Sequence, residues 1–360
     1  MQERIKVLML PDYRADNPFQ HLLEQALSKQ NVEVVFAKGY KRVLPIYRQL
    51  KSHKKTDVLH LHWITPYLRG ENSFVVFFYA LKFLFDLTLT KFKTPIVWTI
   101  HNQVSHDSRF PKIERFTYRI TSKLVDEAIL HGNSLKGIIQ KDYKISDRKL
   151  SIINLGNYKS IYPPLIEKKL AREKLSIPTE VRKVFLHQGL LKPYKGIDEL
   201  IQVWNDNSKE VNDCMLVIAG KSPDKNYEDN LRKLIDSNKT VQLICRYVTD
   251  DELSVLYSAS DVVVLPFRRI MASSSLMVAI SLGRPVIAPK LGASEELLGD
   301  ASDLLYDTME GNEGLKIAII KSTRIDLAEL TKRTEARAIF FDWDQIGKST
   351  ADLYRKAIRG

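Results

Sequence analysis

Residues 184–204 read VFLHQGLLKPYKGIDELIQVW. Val184–Gln188 opens on an apolar run without alternation, as a strand covered on both faces does. Gly189 ends it, and Gly196 precedes the helical pattern IDELIQVW. Strand, glycine-bearing loop and helix in that order make the repeating unit of a parallel α/β sheet.

The same unit recurs on both sides of this stretch. Upstream, strands are predicted at Ile5–Leu10, Val32–Ala37, Val58–His62, Ile96–Ile100, Glu127–Leu130 and Leu150–Asn154. Downstream they are predicted at Met215–Ala219, Val241–Cys245, Val262–Leu265 and Pro285–Ala288. Helix signals lie between them, such as Asn17-Pro18 as cap and first position before FQHLLEQAL. Eleven strands exceed one ordinary sheet, so the fold class is α/β with two doubly wound, Rossmann-like domains. The break falls in Tyr158–Arg182, which holds Pro163, Pro164 and Pro178 and no strand-like run. The predicted division is 1–165, 166–340 and a terminal helix within 341–360, with Ile346, Leu353 and Ala357 on one face.

With 55 Lys and Arg against 43 Asp and Glu, the net charge is +12, which points to an anionic partner. Cys214 and Cys245 sit in apolar runs and read as free buried thiols of a reducing compartment. The N-terminal apolar stretch is too short for a secretory signal and reads as a first strand. Phe74–Leu89 is interrupted by Lys82 and Asp86 and falls short of the ~20 residues of a spanning helix; it is expected to be a core helix over the first sheet. These features predict a cytoplasmic protein.

Open α/β sheets bind ligands beyond the carboxyl ends of their strands, where helix N-termini attract anions. Two sheets facing one another would place a site in the gap between them. Lys192 and Lys195, between Gly189 and Gly196, suit a phosphate as mobile point charges; a solvated strand–helix loop is the other reading. In LPFRRIMASSSLMVAISLG, Ser273, Ser274 and Ser275 with Arg268 suit a diphosphate, or one serine is a helix cap. In the first domain His60, His62 and Trp63 end one strand, and His101, His106 and Asp107 follow another. Histidines there suit proton transfer or sugar hydrogen bonds; His60 reads as structural and His101 as functional. No Cys or carboxylate spacing supports a metal site.

The stretches NPFQHLLEQAL, DVLHLHW, VWTIHNQVSHD, GNYKSIYP, GLLKPYKGIDEL, DDELSVLYSASDVVVLPF, SLGRPVIAP and FFDWDQIGKSTADLY together resemble glycosyltransferases of the GT-B fold. They are most similar to the bacterial group that builds exopolysaccharide, capsule and lipid-linked oligosaccharide. The resemblance implies an N-terminal acceptor domain, a C-terminal nucleotide-sugar domain and a last helix that packs back on the first domain. It implies a UDP- or GDP-sugar donor, no cofactor and no metal. Lys192 and Lys195 would hold the donor diphosphate, Arg246 and Tyr247 would lie near the base, and His101 would be base or sugar contact. His62 would support it, with Asp107 and Asp16 as substitute bases. The group's two glutamates, with seven residues between them, align with Ile270 and Val278, so the ribose carboxylate is missing.

The stretch 37–56 holds seven Lys or Arg and no acid; it suits docking on an anionic membrane surface or is a solvated face. Either reading keeps the protein cytoplasmic, free or peripheral on the inner face of the cell membrane. The missing glutamates leave a non-catalytic subunit that binds nucleotide or glycan as the alternative. A nicotinamide enzyme is excluded by the lack of a GxGxxG turn, and nucleic-acid binding lacks a module signature.

Overall fold

The computed structural model describes every residue except 1–3, 16, 38, 40–42, 54, 106 and 107. The chain forms two compact units, Met1–Gly156 with Phe341–Gly360, and Asn157–Phe340.

Unit 1 carries a six-stranded sheet of β1 (Ile5–Leu10), β2 (Val32–Phe36), β3 (Val58–Leu61), β4 (Ile96–Thr99), β5 (Glu127–Leu130) and β6 (Leu150–Ile152). Their order is β2-β1-β3-β4-β5-β6, and every pairing is parallel. The order reverses direction between β1 and β3, which makes their carboxyl ends the switch point of this sheet. Four helices matter below: α1 (Pro18–Ser28), α2 (Pro45–Ser52), α3 (Ser73–Lys91) and α4 (Pro111–Leu124). The Asn17 side chain accepts from the Phe19 N–H at 3.0 Å and starts α1 as a polar cap should.

The terminal helix Trp343–Arg359 belongs to unit 1. Its Tyr354 hydroxyl lies 2.6 Å from Nδ1 of His60, and Lys356 donates to Glu127 at 2.9 Å.

Unit 2 carries β7 (Lys183–Gln188), β8 (Cys214–Ala219), β9 (Val241–Ile244), β10 (Val262–Val264), β11 (Val286–Pro289) and β12 (Leu305–Tyr306). The order is β12-β11-β10-β7-β8-β9, again all parallel, with its switch between β7 and β10. The proline-rich connection belongs to this unit from Asn157 on, earlier than a break at 165/166. The Tyr158 N–H donates to Ser281 Oγ at 2.8 Å and the Ile166 N–H to Ser258 Oγ at 2.9 Å, tying the segment down.

Two expectations are corrected. Cys214 is buried, but Cys245 at the end of β9 is only half-buried, because β9 is an edge strand. α3 is a core helix on one side only. Val76, Ala80, Phe83, Leu84 and Leu87 are buried, whereas Phe74, Phe78 and Phe85 are 80%, 61% and 60% exposed.

Asp86, which breaks the apolar run of α3, is fully buried and accepts from the N–H groups of Ile46 and Tyr47 at 2.8 and 2.9 Å. It thereby caps α2 with a carboxylate at the positive end of the helix. Burial nevertheless raises its pKa from the usual range.

Candidate functional site

Each unit gathers polar side chains at the carboxyl ends of its central strands. In unit 2 the cluster forms where β7 and β10 diverge. The chain leaves β7 through Gly189, whose φ of +114° disfavours side-chain-bearing residues. A Cβ there would lie 2.5 Å from Lys195 Nζ and 3.2 Å from Ser275 Oγ, so glycine keeps the space those groups occupy.

Lys195 ends a single 3₁₀ turn, Pro193–Lys195, closed by Gly196 at φ +68°. A Cβ on Gly196 would meet the Pro266 carbonyl oxygen at 2.2 Å, so only glycine lets the loop pass the end of β10 this closely.

Lys195 is 6% exposed, and its Nζ lies 3.3 Å from Ser275 Oγ. Loss of water, then the nearby Lys192, lowers its pKa to about 8. Among the described residues no carboxylate stands beside it to offset the burial. A buried ammonium in that state is costly, and an incoming anion relieves the cost.

Ser275 sits in the first turn of the helix Ser274–Ser281. Ser273 is its cap, accepting from the Leu276 N–H at 3.1 Å, so this hydroxyl is committed to the backbone. The first-turn N–H groups of Ser274 and Ser275 have no acceptor within the helix. They offer an anion seat beside the lysine, with the Ser274 side chain exposed.

The other expected donor contacts divide. Lys192 is half-exposed at the start of the loop. The Arg268 guanidinium is held by Asp198 at 2.7 Å, Glu199 at 2.9 Å and the Pro193 carbonyl at 2.7 Å. It fixes the Lys195 loop to the following helix, Ile197–Asp206, so its charge is already partnered. Arg246 pairs with Glu252 at 2.6 Å, and Tyr247 is 71% exposed. Arg246 and Glu252 line a cavity of about 240 Å³ with Ile244, Val248 and Leu256.

His187, in β7, escaped the sequence reading. Its Nδ1 lies 2.8 Å from the Val264 carbonyl, so Nδ1 carries the proton, while Nε2 is buried without a partner. Burial, then Lys195, pushes its pKa down to about 3, keeping it neutral beside the lysine.

In unit 1 His60 lies within β3, and His62, His101 and His131 follow β3, β4 and β5. His60 is fully buried between Tyr354 and Thr99, with its ring nitrogens 2.6 and 2.8 Å from their hydroxyls, which is a structural role. His62 is 2% exposed, and its Nδ1 lies 3.0 Å from Nε2 of His101. His101 stacks on Trp63 at 4.3 Å and keeps part of its surface open to solvent. His131, also unforeseen, stands 5.1 Å from the His101 ring and bonds the Ile153 carbonyl at 2.8 Å. The edge of Phe19 closes the cluster against His62, His101 and His131.

Burial drives the pKa of all four down, to about 3 for His60 and about 4 for His131, so the cluster is neutral at pH 7. The tautomers follow from the His62–His101 bond. His62 Nε2 is buried and unpartnered. If His62 donates from Nδ1, that orphan is only a lone pair, and His101 carries its proton on Nδ1. The reverse choice strands a buried N–H at a cost of about 1–3 kcal/mol. The geometry therefore makes His101 a hydrogen-bond donor from Nδ1. Asp16 and Asp107 lie outside the described residues. Among the described residues no group of three or more His, Cys, Asp or Glu is placed to hold a metal ion.

Residues 167–321, nearly all of unit 2 up to its last helices, match the family Glycosyl transferases group 1. Unit 2 is a group 1 glycosyltransferase domain. The likeness of this glycosyltransferase to curated relatives extends beyond that domain. The chain is 26% identical over 313 residues to a GDP-mannose:glycolipid 4-beta-D-mannosyltransferase of Xanthomonas campestris, covering 84% of this chain and 80% of the relative. It is 24% identical over 356 residues to a D-inositol 3-phosphate glycosyltransferase of Corynebacterium glutamicum, covering 93% and 80%.

Among solved structures, a sucrose-phosphate synthase from Thermosynechococcus elongatus superposes with a TM-score of 0.74 at 16% identity, over 98% of this chain and 99% of that one. Anabaena HepE, solved with UDP and glucose, gives 0.70 at 16% identity over 98% and 100%. These likenesses show the GT-B fold, in agreement with the two six-stranded parallel sheets.

Proposed function

We propose that this glycosyltransferase moves a hexosyl group from a UDP- or GDP-sugar to a saccharide or lipid-linked saccharide, without a divalent metal, on the cytoplasmic side of a membrane. The carrying observation is Lys195, a buried ammonium with no neighbouring carboxylate among the described residues, held against the first turn of the helix Ser274–Ser281. That arrangement suits a diphosphate that gains charge as it leaves. Support for the substrates comes from the Xanthomonas relative, whose name gives GDP-mannose and a glycolipid, and from HepE with UDP and glucose.

In the reaction an acceptor hydroxyl oxygen bonds to the anomeric carbon while the bond from that carbon to the diphosphate oxygen breaks, and the hydroxyl proton passes to the departing diphosphate. Lys195 and the helix N–H groups stabilise the charge that develops on the diphosphate, the work a metal does elsewhere. His101 donates from Nδ1 to a sugar oxygen and orients it, with His62 fixing its ring. Gly189, Ser273 and Arg268 shape the diphosphate seat without themselves carrying the charge. Arg246, which lines the cavity after β9, and the exposed Tyr247 next to it in the chain would face the base.

The test is release of UDP or GDP from UDP-glucose and GDP-mannose by the purified protein, with and without a lipid-linked saccharide. Slow release alone, accelerated by acceptor and unchanged by EDTA, is expected. EDTA-sensitive release would overturn the metal-free reading. Ile270 and Val278 in place of the two glutamates favour one rival, a donor-binding subunit without turnover. It is distinguished by nucleotide binding with no release from either donor.

A further inference from the structure

The open side of α3 is apolar although it faces solvent. Phe74, Phe78, Leu81 and Phe85 recur at helical intervals of four, three and four residues and form one stripe, with Phe77 beside it. Their exposures run from 41% for Phe77 to 80% for Phe74. Taking ~200 Å² per aromatic side chain, the stripe presents roughly 500 Å² of apolar surface. An area that large is at the upper end of what monomers leave uncovered and marks an interaction face.

α4 lies against α3, with the Phe116 ring 6.1 Å from that of Phe77. It repeats the same spacing in a different chemistry, with Lys112, Phe116, Arg119 and Lys123 on one stripe and Arg115 alongside. All five are exposed, while the one acid of α4, Glu114, is 5% exposed. α2 adds Arg48 and Lys51 and has no acid, and the one acid of α3 is the buried Asp86. The face of these three helices therefore pairs an aromatic stripe with cations and shows no carboxylate.

We propose that the α3–α4 face of unit 1 docks on an anionic lipid bilayer, the phenylalanines entering the interface while the α4 cations meet lipid phosphates. The charge pattern selects this occupant. A second copy of the chain on a two-fold axis would set the same basic rim against itself, whereas an anionic headgroup layer complements it.

Contrary to the reading of Phe74–Leu89 as too short, α3 extends over Ser73–Lys91 and has the length and composition to cross a bilayer. Its other face, however, packs in the core of unit 1, and Asp86 on the packed side caps α2. The helix therefore lies on the membrane instead of spanning it. α2 lies within the basic stretch 37–56 and supplies two of its seven cations, Arg48 and Lys51; Lys38, Lys41, Arg42 and Lys54 lie outside the described residues. The proposal deepens the reading of a lipid-linked acceptor, since a docked unit 1 meets such an acceptor in two dimensions.

Flotation with phosphatidylcholine vesicles, with and without phosphatidylglycerol, decides it. The wild-type chain should float with phosphatidylglycerol-containing vesicles at low salt and remain at the bottom with phosphatidylcholine alone. Phe78→Ser with Phe85→Ser should lower the bound fraction by about tenfold or more. Lys112→Gln with Arg115→Gln and Lys123→Gln should lower it by about a hundredfold. Both variants should keep wild-type thermal midpoints and wild-type rates of donor hydrolysis in vesicle-free solution.

A wild-type chain that stays at the bottom with anionic vesicles overturns the proposal. Variants that float as the wild type does overturn it too, as do phenylalanine substitutions that only turn a dimer into a monomer. Absence of donor hydrolysis in the wild type would sink the glycosyl-transfer reading and leave the flotation result to judge docking by itself.

Discussion

The two clusters use burial in opposite ways. The histidines in and after β3 and after β4 and β5 are uncharged when buried, so unit 1 keeps a neutral pocket at little cost near pH 7. Lys195 in unit 2 is charged in water, and its pKa near 8 shows how much of that preference burial removes. One pocket is stable as it stands and offers hydrogen bonds. The other is held under electrostatic strain until an anion arrives. The difference fits the partners proposed for them, a neutral sugar hydroxyl and a diphosphate.

Acid offers the largest lever on this contrast. A histidine whose folded pKa lies below the ~6.5 of the unfolded chain contributes fully above that pH, and the contribution is lost as pH falls toward the folded value. Each loses up to about 1.4 kcal/mol per pH unit in that window. Unit 1 has four such residues, with His60 down at about 3 and His131 at about 4, while unit 2 has His187. Hydrogen exchange at pH 7 and pH 5 should show unit 1 losing several times more opening free energy than unit 2. Equal losses would break the comparison.

A smaller effect concerns His101. As a donor from Nδ1 it is partly replaced by an asparagine amide. His101→Asn should keep transfer within about tenfold of wild type, and His101→Ala should lose about a hundredfold, in kcat more than KM. Equal loss in both would return His101 to the role of base. The smallest effect is expected at Arg268, whose charge Asp198 and Glu199 already hold at the half-exposed rim. Arg268→Gln should shift stability by less than about 1 kcal/mol and nucleotide affinity by less than about threefold. A hundredfold loss of affinity would place Arg268 on the diphosphate.

The strands were legible because parallel, doubly covered strands are plain apolar runs. Eleven of the twelve stand where such runs stand, and β12, two residues long, leaves no run to read. His131 carried a usable signal. It follows β5 directly in EAILH, as His62 follows β3, and the repeated position after a strand could have grouped them. His187 lies inside its strand and gave no such cue.

Two features needed the fold. Asp198 and Glu199 are 70 and 69 residues from Arg268, and only the neighbouring ends of β7 and β10 bring them together. α3 is apolar around its whole circumference, so periodicity could not tell the face that packs from the face that stays open.

The central claim is that Lys195 is a buried cation awaiting a diphosphate. Calorimetric titration of UDP and GDP into the wild type and Lys195→Met, with the thermal midpoint of each unliganded protein, tests it directly. Nucleotide affinity should fall by about a hundredfold or more in the variant, while its unliganded form gains up to about 3 kcal/mol, the equivalent of the drop from 10.5 to about 8. Wild-type affinity in Lys195→Met, or a variant destabilised without nucleotide, would contradict it.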